Sequence, residues 1–204
     1  MLIDPQALNQ QESHHLLTDI VIPRPIAWVS TVDDCGNYNL APFSAYGMVS
    51  SKPMVVCFSI GNTREGKKKD TLRNVELTGE FVISVVTRDL AKKMNITSAP
   101  YPYTVDEFVE AGLTPVQAKK VKAPLVAESP VNMECSTLHN IPIGTSIPSY
   151  SLIIGEVLYI HVEDDWYDTQ SRTIPALRAI ARLGGERDLY CYGEDTFEMP
   201  RPSI

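Results

Sequence analysis

The sequence predicts a mainly β protein, a single β-barrel with decoration whose α-helices are confined to the crossovers between strands. Three observations carry that reading. Apolar runs rich in β-branched residues recur along the chain with turn residues between them. Fifteen prolines among 204 residues suit loops and strand edges better than a helical bundle. No repeat, low-complexity tract or shift in composition marks an internal boundary, so residues 1–204 read as one domain with room for a core.

Taken in order, Asp4-Pro5 is an N-cap followed by proline at the first helical position, with only a short helix to follow. His14 and His15 are adjacent, point in different directions and read as solvent-exposed rather than as joint metal ligands. Pro23-Arg24-Pro25 fixes an extended approach to a first strand at 26–32. After the turn Asp33–Asn37 comes a return segment rich in small residues, Asn39-Leu40-Ala41-Pro42-Phe43-Ser44. Strands are expected over 43–50 and 54–60, the second apolar on both faces as a central strand would be, with Cys57 a small core residue. Residues 59–63 read as a loop.

A helix is expected from Asp70 or Thr71 as N-cap, with Leu72 and Val75 on one face and Gly79 as its stop. A strand at 81–87 and a short helix at 89–94 follow. Ala99–Thr104, with its alternating prolines and tyrosines, cannot be regular structure. A turn or two of helix at 105–111 carries Asp106, Glu107 and Glu110, which read as a solvated face rather than an acid–base pair. A strand is expected at 131–138, a loop at 139–149, and a long strand at 150–162 with Gly155 marking a bulge and His161 in a structural role. The pattern at 175–183 reads as an amphipathic helix, ended by Gly184-Gly185 and followed by an aromatic strand at 189–192.

Composition excludes several classes. A net charge of −7 and a pI near 5.1 argue against nucleic acid or an anionic membrane as partner. No run approaches the ~18 apolar residues of a membrane span. The four scattered cysteines and the plain N-terminus suggest free thiols and a cytoplasmic setting. There is no nucleophile elbow, no dinucleotide fingerprint and no metal-ligand spacing.

Two stretches carry chemistry. Around 28–46, small side chains (Ala41, Ser44, Ala45, Gly47) let main-chain N–H groups approach a flat ligand, while Asn39 and Ser44 add directional polar atoms. The same pattern also suits a plain hairpin. Around 59–71, Arg64, Lys67, Lys68 and Lys69 concentrate cations just before a helix start, where free N–H groups and the dipole favour a phosphate. A solvated basic loop before an ordinary helix is the alternative. Together the two stretches describe a planar mononucleotide, with no evident acid, base or nucleophile.

Arg24-Pro25-Ile26-Ala27-Trp28-Val29-Ser30-Thr31, Gly36, Asn39–Ser44 and Lys69-Asp70-Thr71 with Asn74 resemble the flavin reductase-like family of FMN-binding split barrels. Glu80-Phe81-Val82, Asp106-Glu107-Phe108 with Ala111-Gly112-Leu113, and Glu134-Cys135 continue the likeness over nearly the whole chain. The branch it looks most like holds flavoredoxins and nitrilotriacetate monooxygenase component B. The resemblance implies a six-stranded Greek-key split barrel, a homodimer and FMN near its interface. Trp28, Val29, Ser30 and Thr31, with Asn39, Leu40, Ala41, Pro42, Phe43, Ser44, Ala45 and Tyr46, would line the ring and ribityl chain. Ser59, Thr63, Lys69, Asp70 and Thr71 would hold the phosphate. It implies an oxidoreductase passing hydride from NADH or NADPH to FMN and electrons to a partner or monooxygenase, or else a flavoredoxin-type carrier without efficient NAD(P)H turnover. One departure bears on that choice. Short two-component reductases carry Gly-Asp-His before the strand that ends in apolar-Gly-x-Val, and the alignment on Gly155-Glu156-Val157 places Pro148-Ser149-Tyr150 there. Without the resemblance, the same parts would also serve a barrel for haem or pyridoxal phosphate, or one that only dimerises.

Overall fold

The computed structural model describes residues 1–63, 65–144, 150–175, 177–184, 188–193 and 199. A 3-10 turn Pro5–Ala7 capped by Asp4 opens the chain, and α1 (Gln10–Ile20) follows, longer than its weak apolar stripe suggests. Its start explains the length: Asn9 and Glu12 form a reciprocal capping box. The strands and helices that follow are β1 (Arg24–Pro25), β2 (Ala27–Val32), β3 (Tyr38–Phe43), β4 (Tyr46–Ser51), β5 (Met54–Gly61), α2 (Asp70–Thr78) and β6 (Glu80–Ser84). After a 3-10 turn at Arg88–Leu90 come α3 (Ala91–Ile96), α4 (Glu107–Glu110), β7 (Pro115–Val116) and β8 (Leu125–Val126). The long strands β9 (Val131–Ile143) and β10 (Tyr150–Val162) precede the short β11 (Ile180–Arg182) and β12 (Tyr190–Tyr192).

The main sheet is antiparallel in the order β3-β2-β6-β9-β10-β5-β4. Its two outermost strands, β3 and β4, are consecutive in the chain and separated only by Ser44 and Ala45. The run 38–51 therefore behaves as one bent strand, pairing with β2 by its first half and β5 by its second. That bend closes the sheet as a split barrel. The Ser59 N–H donates to the Ala45 carbonyl at 2.9 Å across the closure.

The barrel interior holds Ala27, Val29, Phe58, Phe81, Ile83, Cys135 and Ile153, capped by Leu72 and Val75 of α2. A second cluster lies outside the barrel wall, where Ile26, Trp28 and Leu40 meet Met94, Phe108 and Ile180. β2 feeds both, so all six of its residues are buried. Each large side chain so enclosed contributes roughly 1.5–3 kcal/mol. The bulge expected at Gly155 is present, and a Cβ there would run into the Phe81 ring.

Several expectations are corrected. The doubly buried strand is β2, not 54–60, where Cys57 and Ser59 face outward half-buried. The loop placed at 59–63 begins later, because Ile60 and Gly61 still pair with Ser151 and Tyr150. The expected 81–87 strand stops at Ser84. β9 continues through the expected loop to Ile143. Its last bond on the β6 side is from the Thr137 N–H to the Gly79 carbonyl at 2.8 Å, and beyond that no strand among the described residues pairs with it there, so Pro142 deprives no neighbour of a donor. Residues 145–149, including Pro148 and Ser149, lie outside the described residues, as do Arg64, Ala176, Gly185 and the 194–198 and 200–204 tail. The helix expected at 175–183 is replaced by β11, which pairs with β1 (Arg24 opposite Arg182) and β12. Apolar spacing allowed a helix, but the open edge of β1 offered pairing that local propensity cannot register. Leu189 precedes the last strand and stays exposed.

Candidate functional site

The β2–β3 hairpin and the start of α2 meet because four buried polar side chains join them. The Asn39 amide donates to Thr31 Oγ1 at 3.2 Å and to Thr71 Oγ1 at 3.0 Å, and Asn74 donates to Thr31 at 3.1 Å. Each such bond is worth about 1 kcal/mol net, and leaving any of these groups unpaired would cost more. Leu72 and Val75 press the same helix onto the barrel. The α2 N-cap is Lys69, one residue earlier than expected, and no side chain among the described residues caps it. Gly79, at φ 69°, ends the helix as expected.

In front of this junction lies a cavity of about 780 Å³. Asn39, Ala41 and Pro42 line it from the hairpin, and Thr63, Lys69, Asp70 and Thr71 from the loop and helix start. Two stretches separated by some twenty residues in sequence thus share one space. The far wall is Thr97–Tyr101 with Glu107. A smaller cavity of about 290 Å³ adjoins it through Pro42, Lys69 and Ser98, and takes in Ser44 and Arg182.

The cations are not equivalent. Lys67 pairs with Glu65 at 3.0 Å and Lys68 with Glu76 at 2.6 Å. Lys69 makes no ion pair among the described residues, and its Nζ lies 5.7 Å from the Phe43 ring centroid. Although the residue as a whole is exposed, desolvation of the ammonium lowers its pKa. Burial raises the Asp70 pKa while Arg73, 3.5 Å away, opposes the rise. An uncapped helix start, one unpaired ammonium, several neutral hydroxyls and amides, and the low-relief faces of Ala41, Pro42, Ala99 and Pro100 suit a phosphorylated planar ligand.

The remaining ring-contact candidates sit elsewhere. Trp28, Val29, Ser30 and Thr31 are fully buried behind the cavity wall. The Trp28 Nε1–H donates to Thr97 Oγ1 at 2.9 Å, and Ser30 donates to the Pro124 carbonyl. Leu40 and Phe43 are core residues, Ala45 precedes β4 and Tyr46 begins it, and the phosphate candidate Ser59 donates its N–H to the Ala45 carbonyl outside the cavity lining. Thr31 and Trp28 are hydrogen-bonded to Asn39 and Thr97, which do line the cavity.

Glu107 is the main residue that sequence reasoning set aside. Asp106 caps α4 by accepting from the Phe108 N–H, and Phe108 is fully buried. With Phe108 anchored, Glu107 turns inward: it is only 7% exposed, and its Oε2 accepts the Leu40 N–H at 3.0 Å. Desolvation pushes its pKa up to about 7 against the opposing Leu40 bond, and Asp70 and Asp106 add to the rise. The cue in the sequence was the apolar Phe108 next to an N-cap, which orients the short helix.

The loop carrying the far wall is held from outside. Tyr103 donates to Asp33 Oδ2 at 2.8 Å, and the Arg73 guanidinium lies 4.1 Å from the Tyr103 ring centroid. Asp33, Asp34 and Cys35 bring potential ligand atoms within 4.8 Å of one another, but the Asp33 carboxylate is already filled by Asn37, Tyr103 and the Cys35 N–H. His161 pairs with Glu134 away from the cavity, in the structural role expected of it. No helix among the described residues is long and apolar enough to cross a membrane.

The family model for the flavin reductase like domain matches residues 20–177. The chain is similar to a Halalkalibacterium halodurans protein of uncharacterised function, 38% identical over 206 residues that span all of this chain and 98% of the other. It is similar to nitrilotriacetate monooxygenase component B from Bacillus cereus, with 32% identity, 98% of each chain covered and a TM-score of 0.91. The flavoredoxin of Desulfovibrio vulgaris (Miyazaki F) shares the fold at a TM-score of 0.73 and 22% identity, over 88% of this chain and 91% of that one.

Proposed function

Because the chain belongs to the flavin reductase like domain family, we propose that it is an FMN-binding oxidoreductase whose flavin lies in the cavity between the β2–β3 hairpin and α2. The observation that carries this reading is the convergence of Asn39, Ala41 and Pro42 with Thr63 and Lys69–Thr71 on that one cavity. Lys69 and the uncapped α2 start would hold the phosphate, and their positive field favours FMN over a flavin without one. Ala41 and Pro42 would leave room for a flat ring, and Asn39 would be held in place by Thr31 and Thr71. When bound, the flavin supplies the hydride-accepting chemistry, so the chain need only bind, orient and shield it.

The electron source in this reading is NADH or NADPH, and the acceptor is a monooxygenase or another electron-transfer partner. A second reading, the flavoredoxin-type carrier, is supported by Tyr150 where short reductases carry histidine; it opens β10 opposite Gly61. The homodimer belongs to the same proposal. Met48, Val49 and Met54, all more than half exposed on the β4–β5 hairpin, give it apolar surface to cover.

Purified protein should be yellow, or should become so with FMN, and should bleach with NADH or NADPH without air. Slow bleaching by both nucleotides alongside fast reduction by a protein donor would favour the carrier. A protein that takes up no FMN at any concentration tried would sink the proposal. Sedimentation should give twice the 22.7 kDa chain mass.

A further inference from the structure

Glu107 is a carboxyl group enclosed in the wall of a ligand-sized cavity. Among the described residues, its hydrogen-bond partner from outside α4 is the Leu40 N–H, on Oε2. Its charged neighbours make ionisation harder: Asp70 from α2 and Asp106 from the α4 start are both acidic. The cavity cations cannot all serve it, since Lys67 and Lys68 are paired with Glu65 and Glu76. Lys69 is assigned above to the ligand's phosphate. From the loop that packs beside α4 come only neutral groups, Thr97, Ser98 and Tyr101, and from β3 the cavity receives Asn39. A buried carboxyl with few donors, here the Leu40 N–H and its own backbone N–H, and with acidic neighbours holds its proton in preference to a charge. A proton so held can be donated as a hydrogen bond.

We propose that Glu107, as the neutral acid, donates a hydrogen bond to an acceptor atom of the bound flavin, so that the cavity binds flavin together with one proton. The proposal rests on the flavin-binding reading above and adds to it a positioning residue and a pH dependence. It concerns affinity, not the hydride step. Above neutral pH the free protein has lost the proton, and binding must restore it.

The probe is riboflavin, which lacks the phosphate whose second ionisation near pH 6 would confuse the profile. Dissociation constants are measured by quenching of flavin fluorescence between pH 6 and 8.5. In the wild-type chain, affinity should be level at low pH and fall roughly tenfold per unit once Glu107 ionises. In Glu107→Gln, whose amide keeps a donor without titrating, the profile should be flat to within about twofold. If that variant fails to fold, wild-type calorimetry at pH 8 in two buffers of different ionisation enthalpy reads proton uptake directly, and uptake approaching one proton per riboflavin is expected. An affinity that rises with pH, identical profiles in the two proteins, or binding without proton uptake would each overturn the proposal while leaving flavin binding intact. Absence of riboflavin and FMN binding at every pH would instead remove the reading beneath it.

Discussion

Glu134 and Glu107 are both buried glutamates, and the fold treats them in opposite ways. Glu134, on β9 at the back of the barrel, is wholly enclosed but accepts the N–H groups of Lys119, Lys120 and Val121 and faces His161. Burial alone would raise its pKa; His161 and the three amides outweigh it and hold the group below the ordinary value. Glu107 is slightly less enclosed, yet its pKa rises to about 7. The difference is donor number. A carboxylate given His161 and three backbone N–H groups is a structural anchor, whereas one given only the Leu40 and its own N–H groups beside acidic neighbours is left with chemistry to spare.

The most direct way to break this comparison is Glu134→Ala. It would strand three amides in the 119–121 turn and should destabilise the protein by about 3 kcal/mol or more, read as a lowered urea midpoint. A loss below about 1 kcal/mol would mean that the turn finds water instead.

Lys69→Ala applies the same reasoning to a cation that lacks a partner. FMN affinity should drop by roughly 10–100-fold, as for loss of one charge-assisted contact, with riboflavin affinity nearly unchanged. Equal losses for the two flavins would place the phosphate elsewhere. Lys69 is the cleaner probe, because Thr71 also accepts from Asn39 and its loss would loosen the helix.

Glu107→Gln should move stability in the opposite direction to Glu134→Ala. The folded-state pKa of Glu107 lies above the ordinary carboxyl value, so the native state favours the neutral form. Its cost to stability is absent below about pH 4.5, grows as pH rises to about 7, and is complete above that. Glutamine should therefore raise stability at pH 8 relative to wild type by about 1–2 kcal/mol, with the gain shrinking toward pH 5. Thermal unfolding at the two pH values checks it. Glu134, with its lowered pKa, should contribute stability above the ordinary carboxyl range and lose it as pH falls through the folded-state value.

Tyr103→Phe sharpens the comparison at its small end. Asp33 has several donors, chiefly the Asn37 side chain, and its pKa is pushed down to about 2. Loss of the Tyr103 hydroxyl should leave it amply satisfied, lowering Tm by no more than about 3 °C. A larger drop would mark this bond as the main clasp on the 97–104 loop.

Much of the barrel was legible in the chain. β2, the β2–β3 turn, α2 with its Gly79 stop, the long β10 and the Gly155 bulge each follow from local patterns of branching, glycine and apolar spacing. Motif order placed the two halves of the candidate site. The errors share a cause. Residues 180–182 became a strand because β1 offered an edge, and β9 ran on to Ile143 because β10 was there to pair with it. Glu107 sits on a short acidic helix, which carries the sequence pattern of a solvated face, and its burial comes from the segments packed around it.

The sequence alone determined which segments could be strands, where the backbone turns, and that small residues and lysines stand ready for a planar phosphorylated ligand. Only the tertiary structure decided that 38–51 bends to close the barrel, that Trp28 to Thr31 lie behind the cavity rather than in it, and that Glu107 turns inward while Glu134 is tied down. Alternation and capping are written in neighbouring residues. Burial and donor supply come from segments far apart in the chain, and they set the charge of a carboxyl group.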